Sequence, residues 1–173
     1  MIWASGFFSG VLLDVQSFGL MVQFASSHNN SVWTMINVYG PCDTIKRNAF
    51  VQWLYHLSIP SDDNWLILGD FNFIRFAENI NQPGGDTNDM FIFNEIIDHL
   101  EILELPIKGR SYTWSNMQDD PLLEQLDWFF TSQNWIPDYP MTQGLPLAKT
   151  ASDHEPCVVS IGTAIPKSNI FRF

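Results

Sequence analysis

The 173-residue sequence predicts an α/β domain, and three observations carry that reading. The run Trp65-Leu66-Ile67-Leu68 is short, apolar and bounded by polar residues upstream, which suits a strand buried on both faces. A β-rich segment, Val32 to Val38, precedes it, and a helix-periodic segment lies between them; strand, helix, strand is the pattern of an α/β layout. Apolar residues make up 46% of the chain, which marks a globular composition and provides for one sizeable core.

Each element follows from its local pattern. Phe7 to Val15 and Leu20 to Phe24 read as strands joined by the turn-like Gln16-Ser17-Phe18-Gly19. His28-Asn29-Asn30-Ser31 is a polar turn before the strand Val32 to Val38, which Gly40-Pro41 stops. Asp43 is a helix N-cap. Ile45, Ala49, Phe50, Trp53, Leu54 and Leu57 then recur at helical spacing until Pro60. After the buried strand, Phe73 to Asp86 is a loop punctuated by Pro83-Gly84-Gly85. A second helix starts near Thr87, with Met90, Phe93, Ile97 and Leu100 on its apolar face and Ile96 and Leu103 beside it. Strands are expected at Ser111 to Ser115, Leu122 to Thr131, Met141 to Leu147 and Pro156 to Ile161, with a helical turn at Ser132 to Trp135. The domain is expected to span residues 1–165, leaving 166–173 as an open-ended tail.

Charge and cysteine usage narrow the function. The formal net charge is −11, from 19 acids and 8 bases, which argues against a dedicated electrostatic nucleic-acid binder. An enzyme that meets phosphates through a bound cation remains open. Cys42 and Cys157 have no metal-type spacing, so a reducing, intracellular compartment is the default. Met1 to Val15 lacks a basic leader region, and no stretch is long enough to span a membrane.

Four stretches place polar groups at element ends: Asn37-Val38-Tyr39-Gly40-Pro41, Gly69-Asp70-Phe71-Asn72, Gln125 to Phe129 and Ser152-Asp153-His154-Glu155-Pro156. Gly69 permits a sharp turn where the buried strand ends. Asp70 and Asn72 lie two apart, and in extended backbone they point the same way, as a site for a metal ion or a phosphate requires. The same residues also suit an ordinary Asx-type turn. Asp127 is a charge within an apolar strand, either paired or at a wet edge. Asp153-His154 suits a site or a solvated turn, but all four stretches occur together.

With these motifs the chain resembles the endonuclease/exonuclease/phosphatase superfamily, the DNase I-like fold. It is most similar to the endonuclease domain of plant LINE-type (non-LTR) retrotransposon reverse transcriptases. The phrases that carry the resemblance are Asn37 to Pro41, Leu66 to Asn72, Gly109 to Asn116, Leu126 to Phe130 and Ser152-Asp153-His154, with Gln82 to Gly85 and Asn169 to Phe173. It implies two packed mixed sheets flanked by helices, a four-layer sandwich. It also implies roles. Asp70 takes the proton from the attacking water or holds it with the metal, and Asn72 orients phosphate and water. His154 donates to the phosphate in the transition state, and Asp127 fixes the His154 ring. Asp153 helps bind the cation, and Tyr39 contacts the phosphate. Three converging carboxylates repel one another by about 4 kcal/mol per pair at ~4 Å and an effective dielectric near ~20. A divalent cation relieves this, and oxygen ligands favour Mg²⁺ or Mn²⁺, with Asp70, Asn72 and Asp153 as the expected metal residues.

The departures are specific. A strand ending in Asn and a second ending in a metal-binding Glu, both early in the family pattern, have no counterpart, and Met1 falls just after the second. The chain is thus expected to be the family fold without its first strands. Glu78 and Glu124 do not stand in the right context to replace the Glu, and Gln125 stands where the group often has Arg. The expected function is a Mg²⁺-dependent phosphodiesterase that nicks DNA, with weak phosphate-directed binding. The rivals are a non-catalytic remnant and a phosphatase or lipid phosphodiesterase of the same superfamily. In the intact family a reverse transcriptase domain follows in the same chain, and a retroelement origin implies a nuclear location.

Overall fold

A computed structural model describes residues 2–60, 62–148 and 152–162, so the expected tail lies outside the described residues. The first two strands, β1 (Phe8–Gln16) and β2 (Gly19–Ser26), form an antiparallel hairpin with a bulge between Leu12 and Asp14. β3 (Val32–Tyr39) continues the meander. α1 (Thr44–Tyr55) starts where the Asp43 carboxylate accepts the Lys46 amide at 2.8 Å, satisfying an otherwise orphan donor. β4 (Trp65–Asp70) then pairs parallel with β3. A 3₁₀ turn at Ala77–Asn79 interrupts the loop before α2 (Thr87–His99), which Asp86 caps through the Asn88 and Asp89 amides.

The second half departs from the expected pattern in places. α2 ends before Leu103, because Glu101 takes a left-handed φ of 53°. Leu103 and Glu104 become a short strand, β5. Of the strand expected at Ser111 to Ser115, only β6 (Trp114–Ser115) pairs, against β7 (Leu123–Glu124). The strand expected over Leu122 to Thr131 breaks into β7 and β8 (Asp127–Thr131). At that break the Leu126 and Asp127 amides both donate to Thr113 Oγ1, at 3.0 and 2.9 Å, and Gln125 donates to the Asn79 carbonyl. α3 (Trp135–Asp138) starts where the expected helical turn would end. β9 (Gln143–Pro146) and β10 (Cys157–Ser160) form an antiparallel pair.

The strands order as β1-β2-β3-β4-β8-β5 in one mixed sheet. β4 lies between β3 and β8, so alternate residues must be apolar on both faces. Trp65 and Ile67 enter the layer under α1 and α2, with Phe50, Phe71, Phe93 and Phe130. Leu66 enters the opposite layer, with Phe24, Trp33, Met35, Trp135 and Tyr139, and Val159 and Ile161 pack over it. Among the described residues the second sheet layer is the β9–β10 pair. An apolar groove of about 760 Å³ remains between that pair and the large sheet. β1 forms the sheet's outer edge, with Val11, Leu12, Leu13 and Val15 exposed. Among the described residues no helix is long and apolar enough to cross a membrane.

Candidate active site

The site forms at the carboxyl end of β4. Gly69 has φ 134°, and a Cβ there would collide with the Val38 carbonyl of the neighbouring strand. The bare backbone lets β4 run tight against β3 to its last residue, Asp70. Asp70 pairs in register with Asp127, the first residue of β8, so two carboxylates meet across the ladder. β5 pairs only with the far end of β8, so Asp127 has a strand partner on one side alone, and its carboxylate is paired with a histidine rather than left in water. Its Oδ2 lies 2.9 Å from His154 Nδ1, and the other ring nitrogen, Nε2, lies 3.6 Å from Asp70 Oδ2. The ring thus bridges two acids and keeps one of its nitrogens toward the cleft.

The backbone between Asp70 and Asn72 is not extended: Asn72 has φ 53°, a left-handed value that Asn tolerates better than most side chains. The turn brings Asn72 back onto Asp70. Its amide donates to Asp70 Oδ1 at 3.0 Å, and its Nδ2 donates to Asp70 Oδ2 at 3.0 Å and the Gly40 carbonyl at 2.9 Å. The Asx-type turn and the site are therefore the same structure. Both Nδ2 protons are engaged, so Asn72 fixes Asp70 and presents only its carbonyl oxygen elsewhere.

All six expected residues, Tyr39, Asp70, Asn72, Asp127, Asp153 and His154, line one cleft of about 640 Å³. They are not equally close. Asp70, Asp127 and His154 each bring a ligand atom within 4.8 Å of the others. Asp153 stands outside that set; it is exposed, and its Oδ2 accepts from Trp114 Nε1 at 3.1 Å. Tyr39 is 65% exposed on the cleft wall. Glu124 of β7 also lines the cleft, yet it too lies outside the set of three. Gln125 is tied to Asn79 Nδ2 by its side-chain oxygen at 2.9 Å, a structural contact.

The electrostatics follow from this crowding. Burial, then the Asp127 charge, pushes the Asp70 carboxyl up to about 6, against the smaller opposing pull of His154 and Asn72. The hydrogen bond that the ring donates to Asp127 raises the His154 imidazole, in spite of burial. Burial also raises Glu124, whereas the Trp114 indole holds Asp153 below the usual carboxylate range. A cation placed among Asp70, Asp127 and His154 would offset both the burial and the Asp127 charge that raise Asp70, so the donor set fits a divalent metal.

Sequence reasoning missed three supporting residues. Thr113 positions Asp127 through its amide, Trp114 holds Asp153, and Arg47 of α1 lines the cleft beside Asp89. Thr113 and Trp114 lay within a matched phrase without an assigned role. Arg47 stands off the apolar positions of its helix, where the sequence assigns it no role.

No protein-family model and no curated protein matches the chain. Solved structures do. The endonuclease domain of TRAS1, a telomere-specific non-LTR retrotransposon, superposes with a TM-score of 0.67 at 12% identity, covering 91% of this chain and 70% of that one. An endonuclease/exonuclease/phosphatase family protein from Bacteroides thetaiotaomicron has a TM-score of 0.50 at 14% identity, covering 91% and 66%. A humanised TDP2 from D. rerio has a TM-score of 0.50 at 12% identity, covering 90% and 69%. The fold is thus the DNase I-like α/β fold, and its structural neighbours include a retrotransposon endonuclease domain.

Proposed function

We propose that this chain is a divalent-metal phosphodiesterase module of the DNase I-like fold, directed at DNA and derived from a LINE-type retroelement. The observation that carries the reading is the Asp70–His154–Asp127 constellation at the ends of β4 and β8, closed by the Asn72 turn. Asp70, with a carboxyl near 6, is suited to take a proton from an attacking water at neutral pH. Asn72 keeps that carboxylate in one orientation. His154, its ring fixed and its proton affinity raised by Asp127, donates through Nε2 to a phosphoryl oxygen as charge builds there. Asp70 and Asp127, with the nearby Asp153, would hold Mg²⁺ or Mn²⁺. When bound, the ion supplies Lewis-acid stabilisation of the phosphoryl oxygens. DNA binding is expected to be weak and to fall steeply as salt rises, since the chain carries few bases.

A second reading is a non-catalytic remnant, favoured by the small ligand set and by Gln125 in place of a cation. Mg²⁺-dependent nicking of supercoiled plasmid separates the two when it is measured on a version extended by an upstream segment carrying the Asn and Glu motifs. The expected result for residues 1–173 is very weak or absent nicking at ordinary Mg²⁺, and the extended version is expected to nick faster; an extended version that stays inactive favours the remnant. In that version Asp70→Ala or His154→Ala should lower the rate by about 10² to 10⁴-fold. Faster turnover of inositol phosphates than of plasmid would instead place the module among the lipid phosphodiesterases.

A further inference from the structure

Among the described residues lining the cleft, Arg47 is the one lysine or arginine, against six carboxylates. A cation there would be expected to meet a substrate phosphate. Its contacts point elsewhere. One terminal nitrogen is ion-paired with Asp89 in the first turn of α2. The other lies 3.5 Å from the Asn72 backbone carbonyl. The guanidinium carbon sits 4.6 Å over the Phe73 ring, and Nε is buried with no hydrogen-bond partner. The group is thus folded against the 72–73 turn at the cleft wall.

That turn is where the site is most demanding. Asn72 holds a left-handed φ of 53° while its amide and side chain bind Asp70. Asp70 and Gly40 secure the turn through the Asn72 donors, and Arg47 alone in this set meets its carbonyl. We infer that Arg47 is a positioning residue: it clamps the Asn72 turn from the α1 side, keeps the left-handed backbone, and so fixes the Asp70–Asn72 pair. The inference rests on the metal-site reading above. A planar fork suits the task, because it reaches Asp89 and the carbonyl at once while its face lies on Phe73; lysine offers one point charge.

The test uses the full chain with Mn²⁺ alone as probe. Mn²⁺ affinity is read by electron paramagnetic resonance, the Asn72 backbone conformation by the nuclear Overhauser effect between its own amide and α-proton in metal-free protein, which is strong at the short distance of a left-handed φ, and stability by thermal melting. Arg47→Met should weaken Mn²⁺ binding by about 10- to 100-fold, the usual effect of losing a group that orients a ligand. It should also weaken that Overhauser effect. Arg47→Lys should recover part of both and decides the matter if Arg47→Met does not fold. Asp89→Asn, which breaks the tie to α2 but leaves the carbonyl contact, should lower the melting temperature with less than about threefold loss of affinity. The inference is overturned if the Arg47 variants leave the Asn72 Overhauser effect unchanged, or if Mn²⁺ affinity tracks melting temperature equally in Arg47 and Asp89 variants. If the unaltered chain does not bind Mn²⁺, the metal reading fails, and the Overhauser effect alone decides the clamp.

Discussion

The two faces of the large sheet are built to different standards. On one, α1 and α2 cover β3, β4 and β8, and the side chains of Phe50, Phe71, Phe93 and Phe130 are essentially solvent-free. On the other, β9, β10 and α3 cover only part of the sheet, a groove remains, and β1 carries Leu12 at 57% and Val11 at 61% exposure. The candidate site sits at the end of the strands that the helices cover. Stability is therefore concentrated where the carboxylates must be held, and the outer strand β1 contributes little to it.

Substitution at the covered face gives the largest expected effect. Phe130→Ala should cost about 3–5 kcal/mol, the usual cost of emptying an aromatic site in a packed core. Leu12→Ala on β1, by contrast, should stay within ~0.5 kcal/mol. Chemical denaturation checks both, and similar losses would erase the distinction between the faces.

A next, smaller effect comes from acidity. The folded value of Asp70, about 6, lies above its ordinary 3.8, so the metal-free native state binds that proton more tightly than the unfolded chain. Its contribution is complete below pH ~3.8 and is lost as pH rises through about 6, a fall on the order of 2–3 kcal/mol. His154 is also raised, so its contribution is present below 6.5 and declines as pH climbs past the folded value. Melting temperature in chelator should fall from pH 4 to 7, and Asp70→Asn should flatten the first part of that decline. A native protein that gains stability across this window would show that Asp70 is not desolvated.

Smaller still, Asp86→Ala should cost about 1 kcal/mol by removing the cap that serves two amides of α2. Circular dichroism melts would read it, and no change would mean α2 is held by packing alone. The smallest expected stability change comes from Leu12→Lys, within ~0.5 kcal/mol. An exposed apolar edge strand templates self-association, so this charge should lower concentration-dependent light scattering. Unchanged scattering would show that the β1 edge is not sticky.

The contrast between faces also explains what could be read from sequence. Trp65 to Leu68 announced β4 because a strand covered on both sides has no polar alternation to confuse it, and Gly69-Asp70 marked its end. Asp43 and Asp86 announced the helices because capping is local. The break between β7 and β8 was hidden, since it depends on one hydroxyl, Thr113, taking two amides from a distant segment. The left-handed backbone of Asn72 was equally hidden, and so was Arg47, whose partner Asp89 belongs to another helix. Local chemistry shows in the residues themselves, whereas a pairing across the fold such as Asp127 with His154 was reached only through the family resemblance.

The Asp70–Asp127 register has a consequence for how the chain reaches its native state. β4 pairs with β3 across one helix, but with β8 across α2 and the intervening loops. Closing the longer segment costs more entropy, so β8 is expected to dock after β3. The carboxylate pair would then form late, and its histidine, still further along the chain, later yet. A cation that needs all three groups finds no partner in the early, collapsed chain, and it cannot speed that closure. It would act on the reverse step, lengthening the lifetime of the folded molecule while leaving its rate of formation nearly unchanged.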